Sequence, residues 1–263
     1  MTSLYDAQQV LLMYSLLMGI GMVAAWGWSR FDLRTFRGVG IWVKPLKFMS
    51  ATALFALTSA GLMQMAEVTP AALPAFYSIA VLIVSTSAFE VAYISLQASL
   101  GEASHYNTSD ALHAAMSGLM GIVAVCLTAS QVWLAWVIWL HHSRPAVSLM
   151  QIAIVTGLIL TFVLATVSGF LLGARQPAAG KGLPLVGWHV RDDGDTQGDM
   201  RPAHFLGVHA QQFIPAFGLL ATCLPASFPA SAGYMVFIVL TAAYVLAWWR
   251  VSAAVLRRVR HSH

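Results

Sequence analysis

Charged side chains are scarce in this sequence: Asp, Glu, Lys and Arg make up 9% of its 263 residues, whereas apolar residues make up 59%. A soluble domain carries about 25% charged residues. This composition cannot solvate the surface of a globular protein, which excludes a soluble enzyme. The length leaves room for one membrane domain with short connections and not for an additional soluble domain. We therefore predict a single transmembrane domain over residues 1–263.

Cysteine is rare as well. Cys126 and Cys223 lie far apart in apolar stretches, where we expect packing roles and no indication of the redox compartment. The formal net charge of +4 does not require a nucleic-acid partner, because basic residues in a membrane protein set its topology before they bind anything. Asp6 is the sole charged residue before the first apolar run, which indicates a retained helix and not a signal peptide.

Long apolar runs dominate the rest of the chain. A bilayer core about 30 Å thick requires roughly 20 apolar residues at about 1.5 Å each. Runs of this kind cover 10–28, 48–66, 75–97, 113–140, 149–173, 205–222 and 232–249. We therefore predict an all-α integral membrane protein, a bundle of seven transmembrane helices, with a long loop at 174–204.

The basic residues are unevenly distributed among the connections. If the N-terminus lies outside, every Lys and Arg except Arg144 falls on the cytoplasmic side, as the positive-inside rule requires. Tryptophans also lie near most of the predicted helix ends, where interfacial belts form. These patterns predict an external N-terminus and a cytoplasmic C-terminus.

Few ionisable side chains lie within the apolar runs, and each is a functional candidate because its burial in lipid is costly. Glu90 is the acidic residue well inside the third run, and His209 lies at a similar depth in the sixth. His113 begins the fourth run, and His204 precedes the sixth. Under the predicted topology all four lie in the cytoplasmic half. For each of them, a structural side chain satisfied by a neighbouring helix is the alternative.

Other polar residues near these four are possible accessories. They are His105, Glu102, His189, Tyr93, Gln97, Lys44, Lys47, Asp199, Arg201 and Gln212. Tyr93 and Gln97 share a helical face with Glu90. Lys44 and Lys47 are typical of interfacial anchors, or of a site for a lipid or substrate phosphate.

Three stretches carry many of these residues: WVKPLKF at 42–48, GEASHYN at 101–107 and GDMRPAHFLGVHAQQ at 198–212. They resemble stretches of a family of uncharacterised bacterial multi-pass membrane proteins, and the similarity spans most of the chain. The resemblance implies a bacterial inner membrane and implies no activity. The seven-helix count is also similar to that of seven-span zinc hydrolases, although His204 and His209 are five residues apart rather than four.

Neutral imidazoles from different helices suit haem iron, zinc, copper or non-haem iron. We predict a membrane-embedded metal or haem protein, an oxidoreductase or electron-transfer component. Haem b would be held by His113 and His209, and a compact Fe, Zn or Cu site by His113, His204, His209 and Glu90, with Glu90 as the catalytic acid. A quinone or another lipid-soluble substrate is the expected partner, together with the lipid bilayer itself.

The sequence is also compatible with three alternatives to a metal or haem protein. Glu90 and His209 could exchange protons in a proton-coupled transporter or channel. The same ligands could hold a zinc-bound water in an intramembrane hydrolase. A non-catalytic membrane scaffold is the third alternative.

Overall fold

The computed structural model describes residues 4–36, 38–105, 107–174, 200–225 and 227–260. Its helices are α1 (Leu4–Trp28), α2 (Val43–Met65), α3 (Leu73–Leu100), α4 (Ala111–Leu140), α5 (Leu149–Ala174), α6 (Arg201–Val208), α7 (Ala210–Thr222) and α8 (Ala230–Arg260). A two-residue antiparallel ladder joins β1 (Thr35–Phe36) to β2 (Val39–Gly40), and a 3₁₀ turn at Pro70–Ala72 precedes α3.

Six of the helices in the described ranges are long and apolar enough to cross a membrane. Their apolar spans are Leu4–Trp28, Val43–Met65, Pro70–Leu100, Ala111–Leu140, Leu149–Gly173 and Ser231–Leu256. They coincide with six of the seven predicted runs to within several residues at most ends, because the length of an apolar run is itself what the bilayer requires. The prediction of a helical multi-pass membrane protein is confirmed.

The remaining predicted run, 205–222, is not one continuous helix. α6 ends at Val208 and α7 begins at Ala210, with His209 between them at φ −91° and ψ 5°. The two pieces have 8 and 13 residues, each too short to span a bilayer by itself. The count of seven transmembrane helices therefore stays a prediction.

The chain divides into two compact units. The first contains Met1–Met65 and Thr69–Ser130, and the second contains Ala66–Val68 and Gln131–His263. In the first unit, α1, α2 and α3 pack against one another. In the second, α5 packs against both α6 and α7, and α8 contacts the same two short helices. The prediction of one transmembrane domain is not tested by this division and stays a prediction.

Glycine allows close packing within the second unit. A Cβ on Gly207 would lie 2.6 Å from the backbone nitrogen of Ala165, and one on Gly157 would lie 2.8 Å from the Pro215 ring. Along α6 and α7 the residue numbers increase from Gly207 to Pro215, while the residues of α5 that they meet decrease from Ala165 to Gly157. The short helices therefore run antiparallel to α5. Small residues at helix contacts are typical of membrane proteins, where they let backbones approach closely.

Candidate functional site

Glu90 lies on the buried face of α3. The buried positions of this helix recur every three or four residues, which is the spacing of one helical face. They include Phe76, Ile79, Ile83, Ser87, Glu90, Ile94 and Gln97. The Glu90 side chain is 4% exposed, and its Oε1 atom has no hydrogen-bond partner in the described part of the chain. An acidic group on the core face of a membrane-spanning helix is a functional candidate.

Lys44, Ser104 and His105 meet at one end of the first unit. The Lys44 Nζ atom lies 2.6 Å from Ser104 Oγ and 3.1 Å from His105 Nδ1. Ser104 Oγ is also 3.1 Å from His105 Nδ1. An ammonium group can only donate, so both partners accept from it when Lys44 is charged, and the His105 proton then resides on Nε2. Lys44 is therefore not simply a solvated anchor, which was one of its two predicted roles.

His105 lies in the connection between α3 and α4. Burial lowers the pKa of this histidine to about 3, and the nearby Lys44 charge contributes in the same direction. The ring is consequently neutral at physiological pH. It is also tilted against the Phe48 ring, with 6.0 Å between ring centroids.

Tyr14 and Ser87 are two further polar residues near Glu90. Tyr14 of α1 is 4% exposed, and its hydroxyl lies beside Thr52 and Ser87 in the field of Glu90. The hydroxyls of Tyr14 and Ser87 are buried and make no hydrogen bond of good geometry within the described structure. The Lys44 ammonium supplies the positive charge that acts on Glu90. Polar groups from all three helices therefore converge around this carboxyl group.

The opposite end of the same unit is also polar. Gln8 donates from Nε2 to Gln64 Oε1 at 2.8 Å and to the Ala60 carbonyl at 3.2 Å. Between this pair and Tyr14, the fully buried Ser59 hydroxyl has no hydrogen-bond partner in the described residues. Twenty residues separate Lys44 from Gln64 along α2, about 30 Å at 1.5 Å per residue.

We call this set of side chains the polar interior. It consists of the buried or partly buried side chains of Gln8, Ser59, Tyr14, Thr52, Ser87, Glu90, Lys44, Ser104 and His105, together with Gln64, which is exposed and forms one end of the set. Its extent along α2 is about the thickness of a bilayer core. Polar groups of this kind are expensive in an apolar environment unless they are paired or reached by water.

His113 occupies the first turn of α4, where two carboxylates hold its ring. Nδ1 lies 2.7 Å from Asp110 Oδ2, and Nε2 lies 3.0 Å from Glu102 Oε2. The other Asp110 oxygen accepts from the His113 backbone N–H at 2.9 Å, as an N-cap residue does. The contacts with His113 also hold the pKa of Asp110 below its usual value. With both ring nitrogens engaged, this geometry favours an ion-paired cap over an open metal ligand.

The two other predicted histidines belong to the second unit. His204 Nδ1 lies 3.2 Å from the Ala165 carbonyl oxygen and 3.3 Å from Ser168 Oγ. Because a carbonyl can only accept, this contact places the ring proton on Nδ1 and leaves a lone pair on Nε2. His209 lies at the break between α6 and α7, with 4.1 Å between the centroids of its ring and the Phe205 ring, and the Gln212 side chain lies nearby.

The predicted metal ligands are distributed over both units: Glu90 and His113 belong to the first, and His204 and His209 to the second. Among the described residues, no group of three or more His, Cys, Asp or Glu side chains is arranged to hold a metal ion. The metal or haem site therefore stays a prediction.

The predicted accessory residues are also spread over the chain. His189 and Asp199 lie outside the described residues. Tyr93 and Gln97 are buried on the Glu90 face of α3, as predicted. Lys47 lies in the first turn of α2, Arg201 begins α6 and Gln212 is in the first turn of α7.

The small hydroxyls and the tyrosine of the polar interior were not predicted from the sequence. Tyr14, Thr52, Ser59 and Ser87 are uncharged residues within apolar runs, and each is compatible with an ordinary helix core. Two features of the sequence could have indicated them: their spacing along one face of each helix, and the presence of Gln8 and Gln64 near the ends of two apolar runs. Their convergence depends on how the three helices pack, which no single run reveals.

The fold and this interior define a multi-pass membrane protein with buried ionisable groups. No family model, curated protein or solved structure matches the chain.

Proposed function

We propose that this chain is a proton-coupled transporter or proton channel in which Glu90 gains and loses the transported proton. The observation that supports this function is the polar interior, which extends over about 30 Å of α2. A route with polar groups in both halves of the membrane is what distinguishes transport from a site confined to one half.

The chemistry of the interior fits proton exchange at Glu90. An ionised carboxylate within a bilayer is unfavourable unless a cation or hydrogen-bond donors compensate it. Lys44 supplies the cation, and the Tyr14 hydroxyl is a nearby donor. Protonation removes the charge of Glu90 and releases Lys44 to its partners Ser104 and His105. The two protonation states therefore favour different contacts, as a coupled step requires.

The topology belongs to the same proposal. We place the N-terminus outside the cytoplasm of a bacterial cell, the protein in the inner membrane, and Lys44, Ser104 and His105 at the cytoplasmic mouth. Arg30, Arg34 and Lys47, near the same end of α1 and α2, support this orientation. The antiparallel course of α6 and α7 along α5 supports a seventh, broken span.

A flux measurement tests the function directly. Purified protein in liposomes that contain a pH-sensitive dye is exposed to a pH gradient, with the membrane potential clamped by potassium and valinomycin. We expect dye-reported proton flux for the wild type and its loss in Glu90→Gln, which keeps the size of the side chain and removes its exchangeable proton.

Glu67→Gln is the matched control, because Glu67 is an exposed carboxylate that pairs with Arg144 outside the polar interior. It should retain wild-type flux. Equal proton flux in Glu90→Gln and wild type would refute proton exchange at Glu90. So would a wild-type flux no greater than that of empty liposomes, both under a pH gradient alone and with gradients of candidate transported solutes.

A metal or haem protein is the second candidate, and the orientation of His204 favours it. Metal-binding histidines usually donate their other ring N–H to a carbonyl or carboxylate, as His204 Nδ1 does to Ala165. His204 Nε2 and His209 would hold the metal or haem iron, which would supply redox or Lewis-acid chemistry. His113 fits less well because both of its ring nitrogens are engaged.

Metal analysis and oxidised and reduced absorption spectra of purified protein test this candidate. A stoichiometric metal or a Soret band that is lost in His204→Ala and retained in His113→Ala would support it. A folded, colourless and metal-free wild type would exclude it.

A further inference from the structure

We propose that Ser104 is a nucleophile that Lys44 activates for acyl transfer from an ester of a membrane lipid. The inference does not depend on proton transport through the first unit. It starts from the contact between the two side chains, in which Lys44 Nζ lies 2.6 Å from Ser104 Oγ.

The distance satisfies the first requirement for an activated serine. A hydroxyl becomes nucleophilic when a neighbouring base removes its proton, and the two groups must lie within hydrogen-bond reach. Lysine performs this role in serine–lysine enzymes when it is neutral. Here His105 Nδ1, 3.1 Å from both atoms, orients the pair by accepting from either one.

Glu90 provides a way to make Lys44 neutral. Burial disfavours the charged form of each group, and transfer of one proton from the ammonium to the carboxylate converts two buried charges into two neutral groups. In a low dielectric, neutral forms are favoured over separated charges. The resulting Lys44 amine has a lone pair that can accept the Ser104 proton.

The local fold places Ser104 next to Lys44 in the first turn of α2. α3 ends at Leu100 and is capped by Gly101, whose φ of +76° lets the backbone reverse. The Gly101 and Glu102 N–H groups donate to the Ala98 and Gln97 carbonyls. A left-handed glycine at this position is a common helix terminator. The chain then returns Ser104 to Lys44, with the serine 4% exposed.

The surroundings indicate a lipid substrate. Leu96 and Leu100, on the last turns of α3, are 55% and 59% exposed on a helix that crosses the membrane. An acyl chain in the bilayer can lie along such side chains and bring its ester carbonyl to the end of the helix.

The reaction balances with the lipid ester and one water molecule as the reactants. Ser104 Oγ attacks the ester carbonyl carbon while its proton moves to Lys44 Nζ. The ester C–O bond then breaks, and Lys44 returns the proton to the leaving alkoxide, which forms acyl-Ser104 and an alcohol. Water next gives a proton to Lys44 and attacks the acyl-enzyme. The fatty acid is released as Ser104 recovers its proton.

A simpler structural role for Ser104 is to satisfy the Lys44 ammonium. An alkyl fluorophosphonate distinguishes the two roles, because it phosphonylates an activated serine and releases fluoride, but does not react with a serine that merely accepts a hydrogen bond. The full-length protein in membrane vesicles is treated with this probe, and the modified residue is identified by mass spectrometry.

We expect wild-type labelling at Ser104 and its loss in Ser104→Ala. Ser99→Ala is the matched control, because Ser99 is an exposed serine at the end of α3, five residues before Ser104, and this variant should label normally. Lys44→Arg keeps the positive charge and the hydrogen-bond donors but provides no base, so labelling should slow by roughly 100-fold or more.

An unlabelled wild type, labelling that persists in Ser104→Ala, or a wild-type rate in Lys44→Arg would overturn the proposal. Elution of Lys44→Arg at the wild-type position in size-exclusion chromatography shows that the fold is retained. Proton flux in Glu90→Gln liposomes is measured separately, so failure of the nucleophile and failure of the transporter give different results.

Discussion

Replacement of Gly207 by alanine tests whether α6 packs as closely against α5 as the structure indicates. The added Cβ would lie 2.6 Å from Ala165 N and 2.7 Å from Leu164 C, whereas ordinary contact begins at 3.4 Å. The difference, 3.4 − 2.6, is 0.8 Å. Both neighbours are backbone atoms, so a side chain cannot simply rotate away. The two helices must separate or the chain must bend.

The expected cost follows from two opposing effects. Overpacking of this kind costs about 1–3 kcal/mol, and the better helix propensity of alanine offsets at most about 1 kcal/mol. Because both clashing atoms belong to the backbone, the upper half of the overpacking range applies, and Gly207→Ala should destabilise the protein by about 1–2 kcal/mol after this offset. For a chain of this size, this corresponds to a fall in Tm of roughly 2–8 °C.

Gly121→Ala is the matched control, because a Cβ at that position of α4 would meet no atom of the described structure within 4 Å apart from its chain neighbours and the backbone of its own helix. Its Tm should equal or exceed that of the wild type. Thermal unfolding of both variants in the same detergent, followed by tryptophan fluorescence and size-exclusion chromatography, provides the comparison. A Gly207→Ala protein as stable as Gly121→Ala would show that α5 and α6 do not pack this closely.

Three further predictions concern single contacts. The pKa of His105 is about 3 in the folded protein and near 6.5 in the unfolded chain. The contribution of this neutral ring to the free energy of unfolding should therefore be fully present above pH 6.5 and should decrease by up to about 1.4 kcal/mol per pH unit as the pH falls toward 3. His105→Asn should lose this pH dependence when Tm is measured across the same range. Tyr244→Phe removes the hydroxyl that donates to the Leu206 carbonyl and should lower the free energy of unfolding by about 1–3 kcal/mol in chemical denaturation. An unchanged free energy of unfolding would contradict this contact. Arg144→Ala should leave the Tm nearly unchanged, because its exposed ion pair with Glu67 contributes about 0–1 kcal/mol, and a large drop would contradict that estimate.

The long helices could be predicted because their lengths follow from the bilayer. α4 was predicted at 113–140 and occupies Ala111–Leu140, and α5 was predicted at 149–173 and occupies Leu149–Ala174. The break at His209 could not be predicted from apolar content, which does not change there. Pro215 was the available signal, because proline cannot donate to the carbonyl four residues earlier, at Gln211 and close to the break.

The candidate site was predictable only in part. The burial of Glu90 follows from its place in an apolar run, and the structure confirms it. The contacts of Lys44 depend on the path of the chain after Gly101, which returns Ser104 and His105 to the start of α2. That path depends on tertiary packing, and the residues at 44 and 104 are too far apart in sequence for any local pattern to connect them.

The division of one predicted helix into α6 and α7 has a consequence for how the protein is made. An 8-residue and a 13-residue helix each lack the length that membrane insertion machinery recognises as a span. We therefore expect this segment to enter the bilayer only alongside α5, already in place, and to be retained once α8 is synthesised and Tyr244 reaches the Leu206 carbonyl. A ribosome stalled before α8 should leave α6 and α7 accessible to water-soluble thiol reagents at introduced cysteines, and completion of the chain should protect them.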